Sequence, residues 1–200
     1  MILAIETSSP HHSLCLARLD SPEDILATAN WSGDARAGRL LVELDAIRQY
    51  LPRVRLIAVG TGPGSFSGIR AAISAAKGLR AVLGCPLVGA CSADALAKDL
   101  ARVSRLGVFA DAKRNELYLT EFALGRRIRG PVTIPTRSLD DCLAKLTLAV
   151  SAEPIPGIPE RAWPVAATLA QFAVESWRRN PAANHDPEPI YLRGPTPRDG

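Results

Sequence analysis

The sequence predicts an α/β fold built from two related lobes, and three observations carry that prediction. Short apolar runs of strand length alternate with stretches whose apolar residues recur at helical spacing. Three strand-like runs precede the helices in each half of the chain. With 200 residues, 47% of them hydrophobic and 22% charged, the chain can bury a sizeable core without disulfide or metal staples.

Ile2 to Glu6 reads as a short apolar strand that Thr7-Ser8-Ser9-Pro10 turns into a second strand over Ser13 to Leu19, so the chain opens on a hairpin. A third strand is expected over Ile25 to Trp31. Asp34 then offers an N-cap to a helix running to about Leu51, in which Leu40, Leu44, Ile47 and Leu51 form one buried stripe. Arg55 to Gly60 is a continuous apolar strand of the kind buried on both faces, and it enters a glycine-rich loop over 60–68. A helix to about Leu83 follows. Next come a strand over Pro86 to Ala90 and a helix capped by Ser92, with Leu96, Leu100 and Val103 on one side.

The second half begins again with strands, over Leu106 to Asp111, Glu116 to Ala123 and Arg127 to Ile134. Asn115 suits the first turn because it enters the left-handed region. Helices are expected over Ser138 to Val150 and Pro164 to Arg179, joined by the proline-rich connector 153–160. From Asn180 the chain is polar and proline-rich, with an expected frayed tail.

Twenty-four basic and 20 acidic residues leave a net charge of +4, split as +1 over residues 1–100 and +3 over 101–200. The cations are dispersed and aromatic residues are few, so direct nucleic-acid binding gains little support from sequence. Cys15, Cys85, Cys91 and Cys142 form no C-x-x-C and sit among apolar or small residues, which points to reduced thiols and a cytoplasmic location. No apolar run approaches the ~20 residues of a membrane span, so no membrane association is expected.

Four features bear on chemistry. The loop 60–68, with Gly62, Gly64 and Ser65, could present N–H groups to an anion, or it could simply let the following helix pack close to its strand. It matches neither G-x-x-x-x-G-K-[ST] nor G-x-G-x-x-G. The helix behind it carries a second stripe of small residues, Ala71, Ala75, Gly78 and Val82, with Arg70, Ser74 and Lys77 in the remaining sector. That stripe calls for another helix at close range, from the chain's own first helix or from a partner. Glu6, ending the first strand, is placed to face the mouth between the lobes, whereas Asp111 suits a turn cap. His11 and His12 are adjacent and point opposite ways in an extended chain; with His185 as the only other histidine, no metal site is expected.

The run Gly60-Thr-Gly-Pro-Gly-Ser-Phe-Ser-Gly-Ile-Arg70, continued by Ala75-Ala-Lys-Gly-Leu79 and Pro86-Leu-Val-Gly89, resembles the bacterial TsaB (YeaZ) family. Ile2-Leu-Ala-Ile-Glu-Thr-Ser8, Asp111-Ala-Lys-Arg-Asn-Glu-Leu-Tyr118 and Pro189-Ile-Tyr-Leu-Arg193 extend the resemblance over nearly the whole chain in order. It implies an actin, sugar kinase and heat-shock ATPase-like fold of two RNase H-like lobes with mixed sheets, the second reduced. Residues 1–103 would form the first lobe and 104–200 the second. It implies a role in making the threonylcarbamoyladenosine of tRNA, as the non-catalytic partner of the TsaD transferase, with a TsaE-like ATPase joining through the complex and tRNA engaged indirectly.

Where the resembled transferase has a His-x-x-x-His metal pair, this chain has Ser92 and Leu96, neither of which can stand in for histidine. The family's polar stretch in the first helix is replaced by Arg36-Ala-Gly-Arg-Leu-Leu-Val42. The expected partner surface comprises Leu40, Leu41, Ile47, Arg70, Ala71, Ser74, Ala75, Gly78 and Val82, and two copies could pair through it when the partner is absent. No cofactor is expected beyond weak nucleotide binding at Glu6, Gly62, Gly64 and Ser65. The competing reading is an active small-molecule kinase or ATPase using Glu6 and the 60–68 loop; a metallopeptidase stands last, for want of H-E-x-x-H.

Overall fold

The computed structural model describes residues 1–33, 37–181 and 186–192. Asp34 as a cap, Arg36, His185, Arg193 and the expected frayed end lie outside the described residues. In the first half, β1 (Ile2–Glu6), β2 (His11–Ala17), β3 (Ile25–Ser32), β4 (Leu56–Gly60) and β5 (Leu87–Ala90) form a mixed sheet of order β3-β2-β1-β4-β5. Helices α1 (Ala37–Ala46), α2 (Phe66–Leu83) and α3 (Ser92–Asp99) punctuate it.

The second half repeats this plan. β6 (Leu106–Lys113), β7 (Glu116–Ala123), β8 (Arg126–Pro135), β9 (Leu148–Ser151) and β10 (Glu160–Arg161) pair in the order β8-β7-β6-β9-β10. In both sheets the first three strands are an antiparallel meander and the last two run parallel to the first. The helical cover of the second sheet is reduced to α3 on one face and the five-residue α4 (Leu139–Leu143) on the other.

Alternation along the strands divides the first core into two unequal faces. Leu3, Ile5, Leu14, Leu16, Ile57 and Val59 meet α1 and α2. The opposite face presents Ala4, Cys15, Ala17, Ala58 and Ala90 to α5 (Ala166–Arg179), which answers with Ala166, Ala170 and Ala173. Small residues on both sides let α5 lie close, so α5 completes the first lobe. Helix α3 lies between the lobes, its Ala95 in the α5 core and its Ala93, Leu96 and Ala97 against the second sheet.

Several sequence expectations are corrected. The single helix expected to Leu51 ends at Ala46 and gives way to a 3-10 turn over Arg48–Arg53: Ile47 N–H already turns to the Leu44 carbonyl, and Pro52 has no N–H with which to continue an α ladder. The helix expected over 138–150 is a 3-10 turn (Thr136–Ser138), α4 and then β9, since Leu148–Ser151 is one of the short apolar runs that periodicity cannot assign. β10 lies in the stretch read as connector. Cys91, not Ser92, is the N-cap of α3. Asn115 is left-handed as expected, and so are Lys113 and Arg114 beside it.

Candidate functional site

Glu6 is fully buried at the end of β1 and lies under the 60–68 loop, without lining the cavity between the lobes where sequence placed it. Its Oε1 accepts the Ser8 N–H at 2.7 Å, while Oε2 has no partner. Burial pushes its carboxyl above the ordinary value of 4.5. Gly60 makes the space it occupies: a Cβ there would come within 2.1 Å of Oε2.

The N–H groups of Thr61, Gly62 and Ser65 point inward. Thr61 N–H goes to the Ala90 carbonyl and Ser65 N–H to the Ser8 carbonyl, at 2.9 and 2.7 Å. Gly62 N–H reaches Ser92 Oγ at 3.1 Å. Ser65 caps α2 by accepting from Gly68 N–H at 3.3 Å. Gly64, at φ +151°, lies against Ser8, where a Cβ would stand 2.0 Å from the carbonyl oxygen. The donors that would cradle an anion at Gly62 and Ser65 are therefore spent on the protein, and the geometry is that of a tight strand-to-helix connection.

Both lobes line the cleft beside this loop, with Ser8, Pro63, Ser92 and Leu96 on one side and Val108, Ser151 and Glu153 on the other. Its cavity is about 30 Å³, room for a water or two. Ser92 and Leu96 are both committed here, the hydroxyl to Gly62 and the leucine to the core between α3 and the second sheet. Among the described residues no three His, Cys, Asp or Glu side chains converge. His11 stacks on Trp163 with ring centroids 3.8 Å apart, and His12 is buried with Nε2 3.1 Å from the Gly33 carbonyl. Burial raises the Cys15 and Cys91 thiols to about 11, which leaves them as apolar packing groups. Asp111 accepts from the Lys113 N–H at 2.7 Å and its Nζ at 2.5 Å; that lysine holds its carboxyl below the usual range.

The α1–α2 surface behaves differently from the cleft. Leu40 and Ile47, expected at a partner surface, belong instead to the core, because the stripe they share with Leu44 faces the sheet. Leu41 and Val42 point outward at 59% and 58% exposure. On α2, Arg70, Ser74 and Gly78 are exposed, Ala71 and Ala75 are half-buried, and Val82 is 84% exposed. A Cβ on Gly78 would meet nothing within 4 Å. Helix α1 thus packs beside α2 without covering the small-residue stripe. Sequence pattern found the stripe, but missed Val42 and the exposed pair Phe66 and Tyr191, whose rings lie 5.8 Å apart. Phe66 opens α2 and Tyr191 lies 125 residues later, so no local pattern joins them.

Residues 44–156 match the family described as TsaD, tRNA N6-adenosine threonylcarbamoyltransferase. The chain is 29% identical over 205 residues to an uncharacterized protein of Mycobacterium leprae, with 98% of this chain but 55% of that protein in the match. An uncharacterized protein of Mycobacterium bovis is 28% identical over 206 residues, covering 97% of this chain and 92% of that one. The chain therefore spans about half the length of the first relative and nearly all of the second. Among solved structures, YeaZ from Pseudomonas aeruginosa superimposes with a TM-score of 0.75 at 25% identity, over 96% of this chain and 99% of that one. A second Pseudomonas aeruginosa structure, described as similar to peptidase YeaZ, gives the same TM-score at 23% identity.

Proposed function

The chain belongs to the TsaD, tRNA N6-adenosine threonylcarbamoyltransferase, family as a TsaB/YeaZ-type member, and from that premise we propose that it is a non-catalytic subunit which binds and supports the transferase. The observation that carries this reading is the face of α1 and α2 left exposed among the described residues. Leu41 and Val42 stand exposed on α1, and Val82 stands exposed at the end of an α2 stripe kept low by Ala71, Ala75 and Gly78. Low side chains let a partner helix approach to about 8 Å, and the exposed aliphatics supply apolar area to bury there.

Two further observations support it. The Thr61, Gly62 and Ser65 N–H groups are spent internally, and the cavity between the lobes is far below the roughly 300 Å³ of the smallest ordinary ligand pockets. In the complex the ATPase joins through the transferase, a second copy takes the same face when the transferase is absent, and the assembly works in the cytoplasm.

The test is reconstitution of tRNA modification with the cognate transferase, ATPase and donor synthase, with and without this chain. Ala75→Arg places a charge and excess bulk in the stripe, and Gly78→Arg does so at a position with open space around it. Both should weaken association with the transferase at least about tenfold, roughly 1.4 kcal/mol, while Gly78→Arg leaves the melting temperature unchanged. Unchanged association of a folded Gly78→Arg protein, or full modification without the chain, defeats the proposal.

A further inference from the structure

We propose that one end of the second sheet, where the β7–β8 hairpin meets the loop between α3 and β6, binds the phosphate backbone of tRNA directly; this rests on the tRNA-modification reading above. The arginines involved, Arg102, Arg105, Arg126, Arg127 and Arg129, look dispersed in sequence. Strand register gathers them. Leu106 lies opposite Phe122 and Phe122 opposite Arg127, while Glu121 lies opposite Arg129. Leu124 N–H donates to the Val103 carbonyl at 3.1 Å, which sets the 102–105 loop beside the hairpin tip.

The charges of this cluster do not cancel. Arg105 and Arg129 share one carboxylate, Glu121, at 3.5 and 2.8 Å. Arg127 takes Asp94, with its Nε 2.9 Å from Oδ1. Arg102 and Arg126 are exposed and have no acidic partner among the described residues. Five guanidiniums thus face two carboxylates, both largely buried, and the surplus of three positive charges lies on the surface. Arginine's planar fork matches phosphate oxygens in pairs, and β8 is an edge strand whose residues 126–129 are all exposed, so its arginines are open to a polyanion that approaches the end of the sheet. The cluster sits on the second sheet and the α1–α2 face on the first lobe, so the two surfaces do not compete.

The experiment titrates the full chain with a fluorescent tRNA transcript over a range of KCl. Three neutralised phosphates predict a slope of log K against log salt of about −2 to −3. The double variant Arg102→Glu/Arg126→Glu should bind the transcript at least about tenfold more weakly at ~100 mM salt, with a shallower slope. It should keep its association with the transferase. Unchanged tRNA affinity, loss of transferase association in the same variant, or equal competition by polyglutamate, the signature of an acidic protein partner, overturns the proposal. Failure of the scaffold reading shows separately, in normal transferase binding by Gly78→Arg.

Discussion

Glu6 ends β1 as a fully buried acid. Its carboxyl is enclosed by Gly60 and the loop, bound on one oxygen only and raised above 4.5 by burial. A raised folded-state value means the native state holds this proton over a pH range in which the unfolded chain has lost it. The favourable contribution is complete below the unfolded value and is lost as pH rises through the folded one. Glu6→Gln keeps the acceptor for Ser8 N–H and removes the titration. The stability gap between Glu6→Gln and wild type, from urea melts, should therefore move in favour of the variant from about pH 4 upward. A gap that stays flat to pH 8 would mean that the site admits water enough to solvate the ion.

Among the elements, α5 is held by a cap that no local reading could supply. Its N-cap residue, Val165, offers no side-chain acceptor, and the Ala166 N–H is taken instead by Ser13 Oγ on β2 at 2.8 Å. Thr168 Oγ1 adds a bond to Asp99 at the end of α3, at 2.9 Å to either carboxylate oxygen. Ser13→Ala should cost about 1 kcal/mol by denaturant unfolding, the usual worth of a helix cap. A loss within error of zero would show that the alanine-lined docking against the first sheet positions α5 without the cap. Within 138–150, Leu148–Ser151 is strand only because Leu106–Phe109 pairs with it in parallel.

For the whole molecule, the decisive property is the closed cleft. Two lobes of the same strand order meet with α3 between them, and the cavity they leave is about 30 Å³. A nucleotide at 100 times its dissociation constant would add about 2.7 kcal/mol to stability. Millimolar Mg-ATP should leave the melting temperature unchanged. A rise above about 2 °C, roughly 1 kcal/mol for a chain of this size, would require the lobes to open on nucleotide and would revive the kinase reading.

Local sequence determined the strand and helix identities of the first lobe, the loop 60–68 and the small-residue stripe of α2, because each is written in periodicity or in glycine placement within a few residues. The repeated order of three strands before helices in each half gave the two related lobes. Tertiary structure alone decided which of these features remain open. It turned Leu40 and Ile47 into core while leaving Val42 and Val82 outside, seated α5 on the first sheet and closed Glu6 beneath the loop. It also drew five arginines spread over residues 102–129 to one sheet end. Pairing across a sheet and docking of a distant helix join residues that sequence keeps far apart, so exposure and net local charge emerge only when the chain has closed on itself.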